Sequence, residues 1–417
     1  MPFIRALLRG TVVQDIEKLH RRYGPVVRIA PDEVTFAQPE AWTDILRVDH
    51  PPFLKDPVWW GAQPGLHESL MTAIHPESHA RIRKLLAPAF TTRALKAQEP
   101  ILHQYVNLLV ERLWNHATRE PLINIAPWFN FTTFDIFGDL GYGEPFQCLQ
   151  DSRYHPWISM IFNSEKAACF VSATRFYPLI EMILIKCIPP SFKEMQRNHH
   201  QLIADKVQRR LNFELERPDI MSYVIKGNEG EGLPLDTIIS TFLELTTAGS
   251  ETGATVLSGT VNYLVNNRDK LTILEEEIRS LKEEDLTLSA LQDLQYLNAV
   301  LKEALRLCPP VPWILSRRVP DGGRYVCGTW LPAGVSTYHT FLLPPSRRSF
   351  TSLILSTIRL QCLFKHIVYT AIPTISTMLR PSYPSVGCLR QPGIRCLPFS
   401  KIDVRQYSRL VLAPGAA

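Results

Sequence analysis

Apolar residues recur at helical spacing along most of this chain, and they alternate with period two only near its N-terminus. Pro25-Val-Val-Arg-Ile-Ala30 and Asp32-Glu-Val-Thr-Phe36 read as a β-hairpin joined by a Pro-Asp turn, preceded by a short helix over Ile16–Tyr23. Helical patterns then dominate, over Pro39–Val48, Ser78–Leu86, Ala94–Trp114, Ile125–Gly141, Trp157–Phe162, Phe176–Ile188, Phe192–Glu214 and Pro218–Ile225. After Pro234 a long helix is expected, with Asp236 near its start where an acid suits the dipole. Its apolar positions are Leu235, Ile238, Ile239, Phe242 and Leu245, and they resume at Val256, Val261 and Leu264. A helix of roughly thirty residues is about 45 Å long and would cross a whole domain. Leu271–Lys282 and Ala290–Leu307 are further helices, and Val319–Pro332 reads as paired short strands.

The middle of the long helix is locally unsuited to a segment that only has to fold. Thr246-Thr-Ala-Gly-Ser-Glu-Thr-Gly253 combines two glycines with hydroxyls that can bond the preceding turn's carbonyls. Taken alone, close helix packing at the glycines explains this as well as a ligand groove does. About fifty residues on, Glu303 and Arg306 share one face of a helix that ends at Cys308-Pro-Pro310. Such a pair is common on surfaces and contributes little there, whereas buried it would form a rigid cross-brace.

Charge is uneven. From Phe341 onward ten Lys or Arg stand against one acid, Asp403, so this tail carries +9 and residues 1–340 carry −4 of the net +5. The basic residues are scattered among Ser, Thr and Pro, which argues against a nucleic-acid partner. The eight cysteines show no C-x-x-C pair and no zinc-type spacing. No run reaches the roughly 18 to 20 apolar residues of a spanning helix. Phe170–Ile188 comes closest, interrupted by Arg175, Glu181 and Lys186, and reads as an amphipathic helix able to touch a membrane surface.

Five segments in order carry a resemblance: Tyr23–Glu33, His79–Phe90, Ala248–Thr252, Glu303–Arg306 and Arg317-Arg-Val-Pro320. Over about Pro2 to Thr340 the chain resembles the cytochrome P-450 family of haem-thiolate monooxygenases, in the fungal secondary-metabolism branch of isotrichodermin hydroxylase type. The resemblance implies a mainly α fold with a small β region, over residues 1–340. It implies that Ala248 and Gly249 form an oxygen-binding groove, with Glu251 and Thr252 steering protons. It implies that His79, Arg83 and Arg317 meet the haem carboxylates, although Arg83 by itself would pass for a surface charge. Glu303 and Arg306 become the structural core pair. The implied cofactor is heme b with O2, the electrons coming from NADPH through a reductase partner, and the substrate is a hydrophobic small molecule. The implied location is the endoplasmic reticulum membrane surface. The family's usual N-terminal anchor is not matched, which leaves the cytoplasm open.

Beyond Thr340 the resemblance stops. The expected Phe-x-x-Gly-x-x-x-Cys-x-Gly loop, whose Cys would hold the iron, is absent. Cys388 in Pro384-Ser-Val-Gly-Cys388 lies at a suitable distance, and Cys396 is the alternative; neither has the glycine frame that aims backbone N–H groups at a sulfur. Residues 341–417 are therefore expected to be a poorly ordered or frame-shifted basic tail. Two functions follow, a haem-thiolate monooxygenase or a non-catalytic, haem-free remnant that acts at most as a binding or interaction protein.

Overall fold

The structure is a computed structural model that describes residues 2–47, 51–62, 67–119, 123–155, 158, 177–187, 190–213, 217–228, 232–282, 287–311 and 315–340. Helices form most of it: α1 Pro2–Arg9, α2 Val12–Tyr23, α3 Glu40–Leu46, α4 Pro57–Trp60, α5 Pro76–Leu86, α6 Thr92–Ala117, α7 Ile125–Tyr142 and α8 Cys148–Asp151. They continue with α9 Pro178–Cys187, α10 Pro190–Leu211, α11 Ile220–Gly227, α12 Leu235–Val265, α13 Arg268–Arg279, α14 Leu288–Asp293 and α15 Gln295–Leu307. The long helix expected after Pro234 is present as 31 residues of unbroken α-helix. The single helix expected over Ala290–Leu307 is two, because Leu294 adopts an extended conformation between α14 and α15. The helix expected at Trp157–Phe162 lies outside the described residues apart from Ile158.

Helix α7 organises the core. From Phe131 to Tyr142 every residue is buried, so the helix is apolar on all sides and shows no amphipathic stripe. It packs along α12, with Phe137, Tyr142, Phe146 and Phe242 meeting through their rings. The two buried carboxylates on α7 are both partnered. Asp135 accepts the backbone N–H groups of Cys148 and Leu149 at 3.1 and 2.8 Å, which fixes the start of α8. Asp139 accepts from Tyr105 Oη at 2.7 Å and pairs with Arg217. Arg217 and the fully buried Arg210 both reach Asp219, the N-cap of α11. Truncating one member of such a network leaves the other charges buried and unpaired, so the network specifies how α7, α10 and α11 meet.

The β region forms a separate layer with its own core of Phe36, Ala41, Ile45, Phe53, Val319, Val326 and Leu331. Strands β1 Val26–Ala30 and β2 Glu33–Phe36 make the expected antiparallel hairpin. β3 Leu54–Lys55, β4 Arg317–Arg318 and β7 Ser336–His339 complete a five-stranded sheet in the order β1-β2-β7-β4-β3. β5 Arg324–Val326 and β6 Thr329–Leu331 pair as a hairpin, within the strand pair expected at Val319–Pro332. The parallel pairing of β2 with β7, Glu33 opposite Ser336, joins segments some three hundred residues apart.

This sheet buries Glu33, 2% exposed, beside Asp56 and Tyr338, and one of its carboxylate oxygens has no hydrogen-bond partner. Burial first, then the charges of Asp56 and Asp32, push its pKa up to about 8. A carboxyl raised from its ordinary 4.5 binds its proton more tightly in the folded chain. Its contribution is complete below pH 4.5 and disappears as the pH climbs towards 8. Urea midpoints of the full chain should therefore fall between pH 5 and pH 8, with a slope approaching about 1.4 kcal/mol per pH unit from this group. Glu33→Gln should remove that part of the slope; parent and variant falling in parallel would refute the buried neutral acid.

Candidate active site

Helix α12 is buried on either side of an open middle. Ile238–Phe242 and most of Val256–Leu264 are covered, yet among the described residues Ala248 is exposed and Glu244, Glu251, Thr252 and Thr255 are half-buried. These positions share one side of the helix, at spacings of three and four residues. An open strip halfway along the helix that crosses the core is a place where a ligand could lie against it. The hydroxyls there do not break the ladder. Thr246, Thr252, Ser258 and Thr260 each donate to the carbonyl four residues back, Thr252 to Ala248 at 2.7 Å. Glu251 stands on the strip with its pKa raised by burial alone. Gly249 faces the other way: a Cβ there would lie 2.7 Å from Phe137 Cδ2, so the glycine is what lets α7 approach.

A cationic edge is built from three separate elements. His79 and Arg83 lie one turn apart on α5, and Arg317 lies on β4. Lys55, on β3, is paired directly opposite Arg317 across the sheet. Burial pulls the Arg317 guanidinium down to about 10. Burial and the neighbouring Arg317 charge together bring the Lys55 ammonium down to about 8. His79 is lowered by burial and then by the charges of Lys55, Arg83 and Arg317. Lys55, His79 and Arg317 repel one another in a partly desolvated place, with the exposed Arg83 adding its charge from outside, and such a group calls for an anion between them. The carboxylate edge of a haem fits this requirement. Lys55 was missed from the sequence, and nothing local marks it, since its pairing with Arg317 exists only in the sheet.

Glu303 and Arg306 do form a fork, with Arg306 Nε and Nη2 each 2.6 Å from a Glu303 carboxylate oxygen. The Arg306 side chain is 31% exposed, so the pair is a partly screened clamp rather than a fully desolvated one. It stands near the end of α15, where Cys308 fits against Gly259 of α12.

Cys148, Cys308 and Cys327 do not suit an iron ligand. Burial pushes the Cys148 thiol up to about 12. Burial and the charges of Asp44 and Glu40 push Cys327 up to about 11, and Cys308 packs against Gly259. A ligating sulfur needs the opposite shift. Cys388 and Cys396 lie outside the described residues.

The chain is similar to known proteins over most of its length. A family model for cytochrome P450 matches residues 2–335. The chain is 39% identical over 362 residues to the cytochrome P450 monooxygenase astJ of Aspergillus oryzae, covering 84% of this chain and 71% of that one. It is 39% identical over 347 residues to the cytochrome P450 monooxygenase lcsI of Purpureocillium lilacinum, covering 81% and 67%. Averantin hydroxylase of Dothistroma septosporum is 37% identical over 344 residues, covering 81% and 64%.

The chain belongs to the cytochrome P450 family. The mainly α fold with its small β region is that of the family, and the enzyme these relatives represent is a monooxygenase. They favour the enzyme over a non-catalytic remnant. Haem and dioxygen follow from the family, as do a small-molecule substrate and a redox partner. Among the described residues of this P450, no helix is long and apolar enough to cross a membrane.

The close approach at Gly249 is directly testable. Ala has the better helix propensity by about 1 kcal/mol, but its methyl group must displace a buried ring, at a cost of about 1 to 3 kcal/mol. Gly249→Ala should therefore lower stability in urea unfolding, and Phe137→Leu in the same chain should recover part of the loss. Additive destabilisation by the two changes would show that they do not share this contact.

Proposed function

We propose that this P450 oxygenates a hydrophobic secondary metabolite, with electrons that NADPH supplies through a reductase partner. The observation that carries the reading is the cationic edge beside the open strip of α12. Lys55, His79, Arg83 and Arg317 would hold the two carboxylates of heme b, and the strip around Ala248 would face its reactive side. When bound, the haem supplies the activation of dioxygen that side chains cannot provide. The protein's part is to position the substrate, exclude water and deliver protons. Thr252 Oγ1, now donating to the Ala248 carbonyl, is a hydroxyl able to pass a proton on the open side of the helix. Glu251 keeps its proton to higher pH than an exposed carboxylate would, which suits a donor of protons to that hydroxyl. Cys388, with Cys396 as the alternative, is the candidate iron ligand of the chain as it stands; a shifted frame after Thr340 would replace both.

The fungal relatives support a secondary metabolite as substrate; one of them is named for hydroxylating averantin. Family membership supports a place at the endoplasmic reticulum membrane surface. The exposed Leu179, Met182 and Ile183 on α9 support a peripheral contact there. The family match ends at residue 335, which supports residues 1–340 as the P450 unit and 341–417 as a segment read in a shifted frame. Transcript sequence across the codons around Thr340 tests this, and an unshifted frame in the transcript would overturn it.

Hemin titration of the full chain, followed by reduction under carbon monoxide, tests the activity. The expected result is a red-shifted Soret band of thiolate-bound haem, lost in Cys388→Ala if that residue is the ligand and in Cys396→Ala if the alternative is. Arg317→Ala or Lys55→Met should weaken hemin binding about 10- to 100-fold, the value of a charged hydrogen bond. Reduction under carbon monoxide that produces no red-shifted Soret band would overturn the proposal.

A further inference from the structure

The segment following the undescribed residues 63–66 is held to α12 in a way that the activity above does not use. Ser69 is fully buried and Glu244 half-buried, although both carry polar groups that prefer water. Ser69 Oγ donates to Glu244 Oε2, and the Met71 backbone N–H donates to the same oxygen at 3.3 Å. Ser69 Oγ in turn accepts from Thr72 N at 3.1 Å and lies 2.8 Å from Thr72 Oγ1, while Ser69 N donates to Thr72 Oγ1 at 2.9 Å. The Ser69 hydroxyl thus links the Glu244 carboxyl group to Thr72 in one closed set of hydrogen bonds. From the other side, Lys55 Nζ donates to the carbonyls of Leu70 and Met71 at 2.9 and 2.8 Å. One short turn is thus gripped by an acid of the central helix and by a base of the cationic edge.

Position gives this grip its meaning. Glu244 lies one helical turn before Ala248, about 6 Å along the axis and on the same open side. The turn therefore stands beside the open strip, at the corner where the strip meets the cationic edge. Glu244 has its pKa raised by burial, with the Ser69 and Met71 hydrogen bonds and the Lys55 charge acting against that shift, consistent with a carboxylate enclosed by this turn.

We propose that Glu244 is a positioning residue that latches Ser69–Thr72 onto the open side of α12, so that this turn sets the width of the space over Ala248. Lys55 acts alongside it, contributing to the cationic edge while holding the same turn by its carbonyls. The width of the site is then set by two side chains that need not touch the reacting atoms. The latch itself stands on hydrogen bonds alone, and its role as a wall of the active site rests on the monooxygenase reading.

Hydrogen–deuterium exchange on the full chain separates the two. Without added hemin, Glu244→Ala should speed exchange in the peptide covering residues 67–73 about tenfold, while a peptide within Leu102–Leu113 of α6 stays unchanged. Glu244→Gln should restore most of the protection, because its amide oxygen still accepts from Ser69 and Met71. Unchanged exchange at 67–73 in the Ala variant, or faster exchange spread through the α6 peptide, would overturn the latch. In the hemin-loaded chain, the affinity for 4-phenylimidazole relative to imidazole, read from the Soret band, should change about tenfold in Glu244→Ala and little in Glu244→Gln. A constant ratio with a loosened turn would overturn its role as a wall. Failure to take up hemin would overturn the monooxygenase reading and leave the exchange result to decide the latch.

Discussion

Helix α12 must present two incompatible surfaces at one level, and the rest of the molecule is arranged around that demand. On one side Gly249 leaves room for the ring of Phe137, so that α7 packs closely against the helix. On the other side, one residue earlier, Ala248 stays uncovered. Dense packing behind the helix holds it in place while the front remains open. The hydroxyls of Thr246 and Thr252 bond within the helix, so the open strip costs no backbone hydrogen bonds. Phe137 belongs to a helix that is buried along its length from Phe131 to Tyr142, and the aromatic cluster around Tyr142 and the Asp139–Arg217 pair tie that helix to its neighbours.

The cationic edge has the opposite character, since it is an arrangement that folding alone would disfavour. Lys55 and Arg317 face each other across a strand pair, and both are lowered by burial. Like charges directly opposite in a sheet are destabilising. Two carboxylates placed among them would reverse the sign of the interaction. Binding of such an anion would therefore be linked to the stability of the small sheet, and through β4 and β7 to the hairpin that carries Glu33.

How much of this the residues disclose depends on the range of the interaction. The helices α5, α6, α7, α10 and α12 are legible because each is long enough for a 3.6-residue pattern, or for a continuous apolar run, to stand out. The break at Leu294 is not legible, because one extended residue between two helical patterns leaves the periodicity nearly intact. Strands β3, β4 and β7 have two to four residues each and no alternation to read. Thr252, Glu251, His79, Arg83 and Arg317 were singled out through the order of motifs, which orders residues without saying which ones meet. Lys55 and Glu244 carry no motif. One is defined by a partner strand more than 260 residues away and the other by a turn more than 170 residues away. The fork of Glu303 and Arg306 was foreseen from spacing, while its partial exposure was not.

By itself the sequence determined the class of protein, the long central helix and the residue types available for oxygen chemistry, because periodicity and motif order are local properties of the chain. It also determined that a glycine-framed cysteine loop does not follow Thr340. Tertiary structure alone decided that Gly249 serves the packing of α7, that Ala248 faces open space, and that Lys55 joins Arg317. The reason is physical: which side of a helix is covered, and which charges are forced together, depends on what the rest of the chain brings against it.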